Sequence, residues 1–325
     1  MKWASGLKIA IAMALALLAW RIFSGASVSV SVKDEQGSPV PGAEVTAVWY
    51  GIRSAGSGWG FGDQKNTSGV TNKRGQCTLS VGGDGGVGVR KEGYYGSGSG
   101  EEYHKQFTAP LNFMNHIDVT ISMLKKKRPS PMFVRKMRSL EIPELAVPVG
   151  FDLMEGDWVA PYGNGRHSDW VVIANQEVRG YHDEDYSLEI NFTGSDSGIQ
   201  MTERPFRGRI CELRLPLEAP ETGYVDKFEM KEFRHLDGNY RILYNENANY
   251  IFRISRPKDD APGSPQQAMY GKIHGPIEMS PGKTQAMKPT MSFVYYLNPD
   301  GTRSLEWDTK KNLAAVREDR VNPEP

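Results

Sequence analysis

The chain has 325 residues, of which 39% are hydrophobic and 24% charged, with 39 basic and 39 acidic side chains. This length predicts about two domains, and the 35 glycines and 20 prolines favour a loop-rich β protein over a helical one. Because the chain carries no net positive charge, there is no electrostatic reason to expect a nucleic acid as partner.

The first 26 residues have the pattern of an export signal. Lys2 and Lys8 precede an apolar stretch over residues 9–20, which spans only about 18 Å as a helix against the roughly 30 Å of a bilayer core. Small residues at 24–26 offer a cleavage site. Residues 20–23, which are apolar except for Arg21, extend the apolar zone and would also allow an uncleaved anchor over residues 7–24. Both alternatives export the rest of the chain to the periplasm, the cell surface or the medium. Membrane contact is expected only through this segment, if it is not cleaved.

Residues 28–124 alternate between apolar and polar side chains in short runs separated by turns. The run VSVSV places Val28, Val30 and Val32 on one face and serines on the other, which predicts a strand with one buried face. The alternation recurs in NKRGQCTLSV, after an Asn-Lys-Arg-Gly turn, and in HIDVTISM over residues 116–123. Five or more short strands with turn signals between them predict a β-sandwich.

The order of strand, Gly/Pro turn and strand across residues 28–124 resembles the carboxypeptidase regulatory-like domain, a small prealbumin-like β-sandwich found in many exported proteins. The resemblance covers less than a third of the chain. It implies a non-catalytic module that serves stability or interaction and is attached to another domain.

The only two cysteines, Cys77 and Cys211, fall in different predicted domains. Each lies on the apolar phase of its own predicted strand, which favours two buried thiols. A disulfide between them is compatible with an exported protein. Two cysteines at this spacing are too few for a structural zinc site.

A basic, proline-containing segment over residues 125–141 predicts a linker between the two domains. It begins Lys-Lys-Lys-Arg-Pro-Ser-Pro and carries further basic residues at 135, 136 and 138. The simplest interpretation is a solvated linker. The alternative is contact with an anionic envelope polymer or a lipid headgroup.

Residues 142–325 again read as mostly β. Alternating runs such as Leu-Glu-Ile-Asn-Phe at 188–192 and further apolar runs around residues 250, 270 and 295 predict several strands. We expect a second β-sandwich or a jelly-roll-like domain, and this region resembles no characterised family. The fold class predicted for the whole chain is therefore all-β.

Several patterns suggest catalysis without specifying it. Residues 83–88 match G-x-G-x-x-G, but they lead into a strand, whereas phosphate binding by this motif requires a following helix. His167, Asp169 and His182 pair imidazoles with carboxylates nearby in sequence, which leaves open a hydrolase with its site in residues 142–325. The sequence gives no sign that these groups converge, so we predict no catalytic residue, metal or cofactor.

Residues 156–170 form the segment that best fits a binding site. Two tryptophans and a tyrosine flank a loop of Gly, Asn and Asp, in which aromatic faces would stack on sugar rings while polar groups bond the hydroxyls. The alternative is that Trp158 and Trp170 are core residues of a sandwich. The ligand-binding candidates are Trp158, Tyr162, Asn164, Arg166, Asp169 and Trp170.

Together these patterns predict an exported cell-envelope protein that acts as a binding or structural module rather than as an enzyme. A glycan or cell-wall polymer is the first ligand to consider, because both the compartment and the aromatic loop allow it. The alternatives are a metal-dependent or carbohydrate-active hydrolase and a scaffold that assembles with protein partners through sheet edges.

Overall fold

The computed structural model describes residues 26–55, 58–81, 85–99, 116–202, 209–211, 213, 215–258 and 264–314. The predicted export signal lies outside these ranges, apart from its last residue. Every regular element in them is a β-strand, which confirms the predicted all-β class. The same ranges contain no helix long and apolar enough to cross a membrane.

The strands are numbered in chain order. The first seven are β1 (Ala26–Asp34), β2 (Glu44–Ala55), β3 (Gly58–Val70), β4 (Gln76–Val81), β5 (Gly85–Arg90), β6 (Ser97–Ser99) and β7 (His116–Met123). The next seven are β8 (Ser130–Glu141), β9 (Val149–Asp152), β10 (Asp157–Trp158), β11 (Trp170–Gly180), β12 (Asp183–Phe192), β13 (Gly198–Thr202) and β14 (Arg209–Cys211). The last seven are β15 (Lys227–Arg234), β16 (Tyr240–Ile242), β17 (Asn249–Pro257), β18 (Gln266–Ile273), β19 (Glu278–Ser280), β20 (Thr290–Asn298) and β21 (Trp307–Asn312).

The chain folds into two compact units that divide between Lys126 and Lys127. Unit 1 contains β1 to β7 together with β14, and unit 2 contains the other strands. In the described part of unit 1 the strands form a three-stranded sheet, β4-β1-β7, and a five-stranded sheet, β14-β6-β5-β2-β3.

Unit 1 has the core that its alternating sequence predicts. Val28, Val30 and Val32 of β1 are all buried, and β1 pairs antiparallel with β4 and parallel with β7. Apolar residues of both sheets belong to the same hydrophobic core, so the unit is a sandwich. Cys77 is buried in this core and Cys211 is half-buried, and the two do not form a disulfide. Burial raises the pKa of the Cys77 thiol.

Unit 2 is a second, larger sandwich. Its described strands form a six-stranded sheet, β10-β9-β11-β12-β15-β16, and a seven-stranded sheet, β13-β17-β18-β20-β8-β21, with β19 beside β20. Aromatic and aliphatic side chains from both sheets pack into one core. The prediction of a second β-sandwich after the first is therefore confirmed.

The structure corrects the predicted linker over residues 125–141. Most of it is β8, an internal strand that pairs with β20 and β21. Met132 and Val134 are buried with one cluster, while Phe133 and Met137 pack against the main core of unit 2 on the other face. Because both faces of β8 are covered, its sequence has no simple apolar–polar alternation.

Candidate functional site

The predicted ligand loop connects β10 to β11 in the six-stranded sheet of unit 2. Strand β9 pairs with both β10 and β11, so that Phe151 lies opposite Trp158 on one side and Trp170 on the other. This pairing brings the two ends of the loop together at the edge of the sheet.

Both tryptophans of the loop are buried. Trp170 is 0% exposed, and four phenylalanine rings surround it with centroids 5.3 to 6.1 Å away. Trp158 is 4% exposed, packs edge-on against Phe151, and donates a hydrogen bond from Nε1 to the carbonyl of Glu141 at 2.9 Å. The placement matches the alternative interpretation, in which both are core residues, because neither indole presents a face on which a sugar ring could stack.

Asp169 lies in a buried charge cluster rather than at the surface. The guanidinium of Arg256, on β17, donates from Nε to Asp169 Oδ1 at 2.7 Å and from Nη2 to Asp169 Oδ2 and to Asp152 Oδ1, the last at 2.6 Å. All three side chains are less than one-tenth exposed. A bidentate pair of this kind fixes the geometry of its members.

The two carboxylates of this cluster, those of Asp152 and Asp169, accept hydrogen bonds from backbone groups in and next to the loop. Asp152 accepts hydrogen bonds from four backbone N–H groups, those of residues 154, 155, 166 and 167, and Asp169 accepts one from Leu153. Although burial opposes ionisation, the bonds from Arg256 and from the backbone lower the pKa of Asp152 to about 2. Burial of Asp169 outweighs the effect of Arg256 and raises its pKa.

A third carboxylate, that of Asp157, holds the tip of the loop. Asp157 accepts hydrogen bonds from the backbone N–H of Trp158 and from both the backbone and side-chain nitrogens of Asn164, at 2.8 to 3.1 Å. Gly163 lies so close that a Cβ there would fall 2.4 Å from the carbonyl oxygen of Trp158 and 2.6 Å from Asp157. The conformation of the tip therefore requires glycine at this position.

Three of the predicted ligand residues lie on the surface that this loop offers to solvent. Tyr162 is 41% exposed, and Asn164 and Arg166 are also exposed. The six candidates thus divide into three on the surface and three in the interior.

The structure does not bring the two histidines considered for catalysis, His167 and His182, into one site. The backbone N–H of His167 donates to Asp152 in the ligand loop, whereas His182 lies in the turn between β11 and β12, at the opposite end of β11. His182 and His235 lie in neighbouring turns of the six-stranded sheet, where Arg234 donates to Nδ1 of His182 and Arg179 to Nδ1 of His235, both at 3.1 Å. His235 also faces two carboxylates of β12. Among the residues that the structure describes, no group of three or more His, Cys, Asp or Glu side chains could hold a metal ion.

Sequence reasoning missed Asp152 and Arg256, the partners of Asp169. The sequence does contain a sign of Arg256. It is the next alternate residue after Phe252 and Ile254 in β17, so it is expected on the same buried face of the strand. A charged residue on the core face of a strand needs a buried counter-charge.

Comparison with known proteins adds little to this description. No family model matches the chain, and no curated protein matches it. A solved structure that aligns with it is a variant of the shaft pilin SpaA from Lactobacillus rhamnosus GG, at 9% identity, over 74% of this chain and 91% of the pilin chain, with a TM-score of 0.19. At that TM-score the likeness carries no argument about fold or function.

Proposed function

We propose that this protein is an exported binding module whose recognition surface is the outer side of the loop over residues 157–166. The observation that carries the proposal is the buried cluster of Arg256 with Asp152 and Asp169. This cluster holds the loop in one conformation from the core side of the sheet. The export pattern at the N-terminus and the prealbumin-like character expected of unit 1 support the location and the non-catalytic role.

The charge cluster is better explained by the shape of the loop than by the stability of the fold. Replacing a buried ion pair by well-packed apolar residues is often neutral or stabilising. The hydrogen bonds that Asp152 and Asp157 accept from the loop backbone, in contrast, set one loop conformation before any ligand arrives. Preorganisation of this kind reduces the entropy lost on binding.

The exposed groups fit a polar polymer of the cell envelope. Tyr162 presents part of an aromatic ring, Arg166 presents a positive charge, and Asn164 lies between them in sequence. A tyrosine ring can lie against the apolar face of a sugar, and a guanidinium bonds hydroxyl, carboxylate or phosphate oxygens. A glycan or an anionic cell-wall polymer is therefore the ligand class we assign.

Two exposed residues allow the proposal to be tested without disturbing the core. Soluble peptidoglycan fragments and wall polysaccharides are titrated into the wild type, Tyr162→Ala and Arg166→Ala. Tyr181→Ala, which alters a tyrosine that is 85% exposed in the β11–β12 turn, is the matched control. Binding that both loop variants lose and the control keeps supports the proposal. Binding unchanged in both loop variants, or absent from the wild type, rejects it.

A structural role in assembly is the second candidate. Tyr181 and Leu236 are 85% and 75% exposed in adjacent turns, and Tyr240, on the edge strand β16, is 51% exposed. Apolar groups gathered at one end of a sheet are typical of protein-protein contacts. We expect light scattering to show oligomers whose population falls in Leu236→Ser. A monomer at every concentration contradicts this second role.

A further inference from the structure

Lys272 is a fully buried lysine in the seven-stranded sheet of unit 2. It lies on β18 between Ile251 of β17 and Tyr296 of β20, on the face opposite the main core. Its side chain is 0% exposed, and Nζ has no hydrogen-bond partner among the residues that the structure describes. The ring of Tyr296, with its centroid 4.9 Å from Nζ, is its close neighbour.

The segment from residue 305 to 307 covers this face. Leu305 packs with Ile251, and Trp307 packs with Tyr296. Backbone hydrogen bonds hold the segment on both sides, from Leu305 N to the carbonyl of Leu217 at 2.9 Å and from residue 130 to the carbonyl of residue 306 at 2.7 Å.

Glu306, in the middle of the covering segment, holds the first two residues of unit 2. Its Oε1 accepts the backbone N–H of Lys127 at 2.9 Å, and its Oε2 accepts that of Arg128 at 2.6 Å. Glu306 is only 2% exposed. It is also the carboxylate whose charge acts on Lys272.

The ammonium form of Lys272 would be costly in this position. Burial lowers the pKa of Lys272 to about 7, and the charge of Glu306 only partly opposes the shift. A buried ammonium without a hydrogen-bonded counter-ion costs several kcal/mol, so protonation favours any rearrangement that supplies one. Because Nζ has no hydrogen-bond partner among the described residues, Glu306 becomes its counter-ion if the carboxylate turns towards Nζ. That movement draws Oε1 or Oε2 away from the backbone N–H of Lys127 or Arg128.

We propose that Lys272 and Glu306 form a proton-driven latch on the N-terminal segment of unit 2. While the amine is neutral, Glu306 binds the backbone of Lys127 and Arg128. When Nζ takes a proton from solvent, the carboxylate turns to the ammonium, and these two backbone groups are released. The latch is independent of the ligand loop and is sensitive to acidification of the medium.

Other ionisable groups face or flank Lys272 and define the controls. Tyr296 lies opposite it, and His274 follows it on the same face, with its ring 4.5 Å from that of Tyr296. Arg253, on β17, is bonded to the carbonyl of Asp196 and lies over Tyr224. His274 is therefore the group whose titration is to be separated from that of Lys272.

Hydrogen exchange of the whole protein measures the latch as a loss of protection at Lys127 and Arg128 beyond that of amides in β18 and β20, which report the pH-dependent stability of unit 2 as a whole. Protection of the Lys127 and Arg128 amides, relative to an unstructured peptide at the same pH, is followed from about pH 9 to about pH 6. We expect a fall of roughly tenfold or more, the effect of losing a hydrogen bond to a charged acceptor. The fall should be absent in Lys272→Met and present in His274→Gln and in Lys288→Met, an exposed-lysine control.

Several outcomes overturn the proposal. One is protection of these amides that is equal at both ends of the pH range. Another is a pH effect that persists in Lys272→Met or disappears in His274→Gln. A Lys272 carbon-13 resonance in the wild type that does not titrate below its ordinary range also overturns it, and this measurement needs no folded variant. So does an intact mass lower than the sequence value by one ammonia or one water, which would show Nζ consumed in an amide bond.

Discussion

Replacing Lys272 by methionine should stabilise unit 2, although it removes a basic residue from a chain whose basic and acidic side chains are equal in number. Methionine matches the length of the lysine stem and removes the amine, which has no hydrogen-bond partner among the described residues. The substitution therefore keeps the packing beneath the covering segment and removes the penalty for burying a titratable group.

The magnitude follows from the pKa shift. The pKa of Lys272 falls from 10.5 to about 7 on folding, mainly through burial. The unfolded chain consequently binds more protons than the folded chain between these values, so wild-type stability rises with pH across that interval. At about 1.4 kcal/mol per pKa unit, the penalty is about 4 kcal/mol near pH 7, constant at lower pH and absent above about pH 10.5.

Urea-induced unfolding of the wild type and Lys272→Met at about pH 6, 8 and 10 measures this effect, with Lys288→Met as an exposed control. Exchange of peptides from β18 and β20 reports unit 2 separately from unit 1. We expect the variant to be more stable by several kcal/mol at the lowest pH and the difference to shrink towards the highest. A variant that is equally stable or less stable at low pH, or a difference that does not change with pH, would refute the reasoning.

Four further outcomes are expected from substitutions elsewhere. Arg256→Met should cost about 3–5 kcal/mol of unfolding free energy by leaving buried carboxylates unpaired, measured by urea denaturation. Because the pKa of Asp152 is about 2, its contribution is present above about pH 4 and lost as the pH falls towards 2, and this acid step should be missing in Asp152→Asn. Trp170→Ala should cost about 3–5 kcal/mol, measured by thermal denaturation, whereas retained stability would contradict its core position. Gly88→Val should raise stability by about 0.5–1 kcal/mol, since no atom lies within 4 Å of its Cβ position, while Gly69→Val, whose Cβ would fall 2.7 Å from Cys77 Sγ, should lower it.

The sequence predicted the fold class because most strands have one buried face. In β1 and β4 every second side chain is buried, and this period of two identifies a strand without further information. Strand β8 was misread as a linker because its two faces are both covered and its basic residues at 135, 136 and 138 suggested a solvated segment. Burial on both faces removes the alternation on which the prediction depends.

The candidate site was predictable only in part, for a different reason. Tyr162, Asn164 and Arg166 lie on the loop surface, but the burial of Trp158 and Trp170 depends on strands that are distant in sequence. The pairing of Asp169 with Arg256 joins residues 87 positions apart. A local sequence pattern does not encode a contact between residues so far apart in the chain. A loop of polar and aromatic residues therefore has the same sequence pattern whether its aromatic rings are exposed or buried.

Strand β14 has a consequence for the order in which the protein is completed. It pairs with β6 at the edge of the five-stranded sheet of unit 1, yet it comes from residues 209–211, long after the other strands of that unit. During synthesis from the N-terminus, β6 therefore remains an unpaired edge strand until about two-thirds of these 325 residues have been made. During that interval β6 presents unpaired backbone groups to any neighbouring strand. The last step in building the first unit thus waits until the first part of the second unit, Lys127–Pro205, has been synthesised.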